Sequence, residues 1–145
     1  MADLYDTDIL TWSDRQADLL RRVAAGERIN DQVDQVDWQN VIDEIASVGR
    51  SELHAVESHL VQALLHDLKA EAWPLSREVP HWRAEARGHR AEALAWYTPS
   101  MAQRIDVAKL YRRALRHMPE TMDNVPPLPV PATCPVTLEE LLGEA

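Results

Sequence analysis

The stretch from Asp37 to Trp73, DWQNVIDEIASVGRSELHAVESHLVQALLHDLKAEAW, limits what this chain can fold into more than any other. Apolar residues recur at Val41, Ile42, Ile45, Val48, Leu53, Val56, Leu60, Ala63, Leu64 and Leu68. Those steps of three and four residues follow the helical period. No proline interrupts the pattern before Pro74. The stretch reads as one long amphipathic helix, or as two helices broken at Gly49. A glycine inside a helix costs about 1 kcal/mol relative to alanine. It either kinks the helix or lets a neighbour approach closely. The apolar register passes Gly49 without a phase change, which favours a continuous helix.

A chain of 145 residues fits one domain, here taken as residues 1–145, and can bury a core without disulfide or metal staples. Its 46% hydrophobic content argues against global disorder. The net charge of −9 argues against a nucleic-acid backbone or an anionic membrane as the main partner. Acidic excess is concentrated before residue 73, whereas Arg83, Arg87, Arg90, Arg104, Lys109, Arg112, Arg113 and Arg116 follow it. Acidic and basic helices can therefore pair within the fold or between two copies. Cys134 is the single cysteine, which fits a reducing cytoplasm. The N-terminus MADLYDTDIL has no apolar signal region, and no apolar run approaches the roughly 18 residues of a membrane helix. The expectation is a cytoplasmic protein.

Asp6, Thr7 and Asp8 are candidate N-caps for a first helix whose face carries Ile9, Trp12, Gln16, Leu19, Leu20 and Val23, with Gly26 as its stop. Residues 27–36 read as a linker with a turn of helix. After the long stretch, Pro74 and Pro80 bracket a loop, and Pro80 suits the first turn of a third helix from about His81 to Trp96. Its face carries Trp82, Ala86, His89, Ala93 and Trp96. Thr98-Pro99-Ser100 caps a fourth helix with Met101, Ile105, Ala108, Tyr111 and Leu115 on one face. Prolines at 119, 126, 127, 129, 131 and 135 forbid helix over most of 118–136. That span reads as an extended strap, with Leu128 and Val130 covering apolar surface. Thr137 and Glu140 form a capping-box pattern for a short last helix ended by Gly143.

Several positions in this order resemble a bacterial family, the domain of unknown function 29 (DUF29). The resemblance covers nearly the whole chain. It rests on Leu4-Tyr5-Asp6, Asp8, Trp12, Gln16 and Leu19-Leu20, then on Asn40 to Ile45 running into Gly49-Arg50-Ser51-Glu52. His66, Leu68, Lys69, Pro74, Trp82, Arg90, Pro99-Ser100, Tyr111 and Cys134 to Thr137 complete it. The chain departs from the family at Asp67, where the family usually has leucine, and at Ala70, where it has an aromatic residue. The resemblance implies an all-helical domain and no activity.

No G-x-G-x-x-G, P-loop, G-x-S-x-G or H-E-x-x-H motif is present. His81, Glu85 and His89 share a helix face, but two histidines about 12 Å apart cannot bind one ion. A solvated face with an i,i+4 pair is the preferred reading. His59 and His66, roughly 10 Å apart, are excluded as a shared pair by the same argument. His54-x-x-Glu57 reverses the order used in helical di-iron sites. His66 reads as a hydrogen-bonded histidine at the core edge, paired with a carboxylate. Asp43, Glu44, Arg50 and Glu52 form an acidic cluster that suits ion pairing, and the family positions suggest Arg90 as partner of Glu44. Trp12, Trp38, Trp73, Trp82 and Trp96 fall near helix ends and suit packing, with an N–H partner for each one buried. Cys134 has no neighbour in sequence that would activate a thiolate.

The reading is an all-α helical bundle around one long central helix, with a proline-rich C-terminal strap and a short terminal helix. Glu44, His66 and Arg90 are the candidate functional or core-polar residues, with no metal ligand and no cofactor assigned. The function expected is an interaction or assembly module, with a protein partner or a homodimer and no membrane. The alternatives are a metal-dependent enzyme with histidine and carboxylate ligands, and a nucleic-acid partner for the arginines of helices three and four.

Overall fold

The computed structural model describes residues 3–27 and 36–143. Among them there are helices and no named strand. The predicted linker over 27–36 lies, apart from its two ends, outside the described residues. The chain forms two compact units, Met1–Arg50 and Ser51–Ala145.

The first unit contains α1 (Leu4–Thr7), α2 (Ile9–Ala24) and the beginning of α3 (Trp38–Ala72). Both short-range starts are capped by aspartate. The Asp3 carboxylate accepts the Tyr5 N–H at 3.4 Å, and Asp8 accepts the Thr11 N–H at 3.0 Å. The Asp8 cap matches the sequence expectation; the separate turn α1 was not foreseen. Its Leu4 and Tyr5 pack against a core of Trp12, Val36 and Val41, joined by Leu19, Leu20 and Val23 of α2. Tyr5 meets the Trp12 ring edge-on, with centroids 4.8 Å apart. With α1 on that side of the cluster, Ile9 is left exposed, contrary to the predicted face. The Trp12 indole donates to Asp37 at 3.0 Å, and the Gln16 side chain accepts the Asp37 N–H at 2.8 Å. Gly26, at φ 77°, ends α2 in the left-handed region that favours glycine.

The long helix is one element of 35 residues that runs through Gly49. Its apolar positions divide. Val56, Leu60, Ala63, Leu64 and Leu68 are buried, whereas Ile42, Ile45 and Val48 are exposed by 59%, 69% and 58%.

The second unit adds α4 (Val79–Trp96), a 3-10 turn (Pro99–Gln103), α5 (Val107–Arg116) and α6 (Leu138–Leu141) to the remainder of α3. Pro80 sits in the first turn of α4, as its missing N–H allows. Val56, Leu60, Val61, Leu64, Leu65 and Leu68 of α3 pack with Ala93, Met101, Ile105, Leu110, Tyr111, Ala114, Leu141 and Leu142. Each large aliphatic side chain buried in this way contributes about 1.5–3 kcal/mol. The fourth helix expected from Thr98 is instead two pieces. The Asp106 carboxylate accepts the Lys109 N–H at 3.3 Å and starts α5 anew. The turn of phase leaves Ala108 exposed and buries Leu110 and Ala114.

The strap is tied at three points. The Trp73 indole donates to the Val125 carbonyl at 2.9 Å, the Leu128 N–H to the Ala72 carbonyl at 2.9 Å, and the Tyr111 hydroxyl to the Pro131 carbonyl at 2.5 Å. Asp123 and Asn124, both at positive φ, turn the chain between Met122 and Val125. Val130 packs on the core, but Leu128 is 53% exposed, so its backbone and not its side chain does the covering. Thr137 caps α6, its hydroxyl accepting the Glu140 N–H at 3.2 Å.

Candidate functional site

Helix α4 has 18 residues but buries only Trp82, Ala86 and Ala93. Two of the three are alanines, so apolar contact alone gives it a modest hold. Beyond these and the partly buried Val79, its inner surface is polar. His59 and His66 of α3 are seven residues apart, as are Arg83 and Arg90 of α4. Two helical turns separate each pair, which keeps its members on one face. These faces meet, and the result is a polar seam between α3 and α4.

Asp67 is one hub of the seam. One carboxylate oxygen accepts from Arg83 at 2.8 Å and the other from Arg90 at 2.7 Å. His89 is the second hub. Its Nδ1 lies 3.0 Å from Nδ1 of His59. Its ring is stacked on His66, with centroids 5.7 Å apart and planes 28° from parallel. The outer nitrogen, Nε2, lies 3.8 Å from the Glu85 carboxylate. His66 Nδ1 faces the Gln62 carbonyl at 2.7 Å. A carbonyl can only accept, so that nitrogen carries the proton and Nε2 of a neutral His66 does not. Burial lowers the pKa of His89, and the charges of His59 and His66 lower it further, against Glu85 and Glu92. Three imidazoles gathered in one seam give the site groups that can take up protons, while its two arginines are occupied by Asp67. Among the described residues no group of three or more His, Cys, Asp or Glu side chains is arranged to hold a metal ion.

Two of the three candidates from the sequence, His66 and Arg90, fall on this seam. Glu44 belongs to the first unit, where its carboxylate accepts the Tyr5 hydroxyl at 2.5 Å. That bond, first among the causes, raises the Tyr5 pKa. The pairing suggested between Glu44 and Arg90 is therefore corrected. Arg90 is held by Asp67, and Glu44 by Tyr5. His66 has a backbone carbonyl as its partner where a carboxylate was expected. The Glu85–His89 pair is present, and His81 is exposed. Arg83 and Arg90 both bond to Asp67, with the Arg90 side chain the more buried of the two. Sequence reasoning missed Asp67 as a hub, although its departure from the family's leucine singled it out. It also missed the approach of His59 to His89, which no spacing within one helix encodes.

Two hollows lie in the same unit. One of about 600 Å³ is bounded by the Trp73–Glu78 loop and by Met122, Val125 and Leu128 of the strap. The other, about 100 Å³, touches Asp67, Arg90, Tyr111 and Glu140. The Cys134 thiol donates to the Val136 carbonyl at 3.3 Å and packs against the core.

The structure thus defines an all-α protein built on one long helix, with a histidine and arginine seam along that helix's second half. The chain belongs to the DUF29 family, a domain of unknown function, which matches residues 4–145. It is also similar to a solved alpha-helical protein of unknown function from Rhodospirillum rubrum. The two share 26% identity at a TM-score of 0.68, over 99% of this chain and 92% of that one. No curated protein matches the chain. No described helix is long and apolar enough to cross a membrane.

Proposed function

We propose that this chain is a self-assembly module whose α3 helices pair, antiparallel, about a two-fold axis. The observation that carries this reading is the exposed stripe of Trp38, Ile42, Ile45 and Val48 on the first part of α3. Gly49 lies on the same stripe, and a Cβ placed there would meet nothing within 4 Å. A second helix can therefore approach the backbone closely at that point.

Charge supports a second copy as the occupant. Asp43 and Arg50 are both exposed and, seven residues apart, lie on one flank of the stripe. In an antiparallel pair the same flank of each helix meets its counterpart. Asp43 of one copy then faces Arg50 of the other, twice over, as an isologous interface requires. Partly buried Cys134 and the lack of a membrane-crossing helix among the described residues support a cytoplasmic setting.

Analytical ultracentrifugation of the full chain tests the proposal. A dimer is expected at micromolar concentration. I45K should give a monomer of unchanged helix content. D43R should weaken the dimer, and D43R combined with R50D should restore it. A wild-type monomer across that range refutes the proposal, as does a dimer indifferent to I45K.

A further inference from the structure

We propose that α4 is a proton-releasable helix: mild acid charges the His59–His66–His89 cluster and detaches α4 from α3, while α5 stays packed. This inference does not depend on self-assembly.

The geometry of the cluster carries it. Two imidazoles whose Nδ1 atoms are 3.0 Å apart need one N–H and one lone pair between them. A neutral pair satisfies this, and so does a pair with one extra proton. With both rings charged, N–H faces N–H, and the contact becomes repulsive. His66 stacks on His89 and adds a third imidazole to the same small volume. The charged groups around His89 are His59 and His66 from α3, and Glu85 and Glu92 from α4 itself. Both glutamates moderate the repulsion. The neighbouring cations Arg83 and Arg90 share the single carboxylate of Asp67, so the three together keep one positive charge that adds to the repulsion when the imidazoles charge. Glu71 and Glu140 line the hollow beside Asp67 and Arg90.

The contrast with α5 explains why one helix responds. Helix α5 buries Leu110, Tyr111 and Ala114 in the main core, and its Tyr111 also ties the strap. No histidine of the cluster lies on it. Helix α4 has one large buried side chain, Trp82, and relies on the seam for the rest. Protonation therefore acts on a helix whose apolar hold, residue for residue, is weaker than that of α5.

Hydrogen exchange on the full chain, corrected for the intrinsic pH dependence of exchange, reads the effect helix by helix. Between about pH 7.5 and about pH 5.5, protection of α4 amides relative to α5 should fall by about tenfold or more. H89Q and H59Q keep hydrogen-bonding capacity but cannot take up a proton, and each should flatten that fall. H54Q, altering an exposed histidine outside the cluster, should behave as wild type. Parallel loss of protection in α4 and α5 overturns the proposal, as does an unchanged fall in H89Q and H59Q. Imidazole titration of the wild type by NMR gives a check that needs no variant. His89 should protonate below the ordinary histidine range, together with shift changes along α4. Titration of His89 in the ordinary range, without those changes, also overturns it.

Discussion

Asp67 shows how much one side chain can settle. It bonds two arginines from the next helix. Removing its charge leaves Arg90, three-quarters buried, without its carboxylate, while Arg83 keeps more access to water. D67N is expected to cost about 1–2 kcal/mol, at the lower end because both arginines are partly solvated. The urea midpoint should fall with the slope unchanged. Asp37 gives a separate acid-sensitive contact in the first unit. The Asn40 side chain, chiefly, and the Trp12 indole hold its carboxyl below the usual carboxylate range, against desolvation. A depressed folded value means the unfolded chain binds the proton first. The stability Asp37 adds is therefore present above the ordinary carboxylate pKa of about 3.9 and lost as pH falls through the folded value. Acid titration of D37N, followed by circular dichroism, should lose that limb. His89 acts in a different window. Its folded value is also lowered, so its cost on acidification begins near the ordinary histidine pKa of about 6.5 and is complete below the folded value.

At the scale of elements, α3 was the most legible part of the chain. An unbroken apolar register and no proline before Pro74 favoured one helix over two broken at Gly49, and one helix is present. Which part of that register would be buried was not legible. Ile45 and Leu60 obey the same period, yet one is 69% exposed and the other has no exposed surface. Periodicity marks a face and does not say what covers it. The fourth helix failed for a local reason. Asp106 competes for backbone N–H groups as a cap, and that outweighed the apolar continuity from Met101 to Leu115. G49A tests α3 directly. Its methyl group meets nothing within 4 Å, so in dilute protein the helix should gain up to about 1 kcal/mol. Thermal melting of dilute protein would show the gain. Under the proposed pairing, sedimentation at higher concentration should show a weaker dimer, because the added Cβ would intrude where the second copy would approach.

Across the whole molecule, each unit has its own core. The first closes on Trp12 and the second on the α3 leucines with Tyr111. The seam in the second unit was half legible. A spacing of seven put His59 and His66 on one face, but the contacts that make the seam, His59 with His89 and Asp67 with Arg90, join residues 30 and 23 apart. Only packing of α4 on α3 fixes those partners. The prolines announced the strap, yet its ties are backbone carbonyls, which carry no sequence signature. W73F keeps most of the ring and deletes the bond to Val125. It should cost about 1 kcal/mol, visible as a lower urea midpoint.

The same tie has a meaning in time as well as in space. Trp73 and its acceptor are 52 residues apart. At roughly 5–20 residues per second of translation, Trp73 emerges roughly 3–10 s before Val125 does. During that interval the end of the long helix presents an uncovered indole with no hydrogen-bond partner in the strap. This makes the Ala72–Pro74 corner one place where a nascent chain of this protein leaves apolar surface uncovered until the strap arrives.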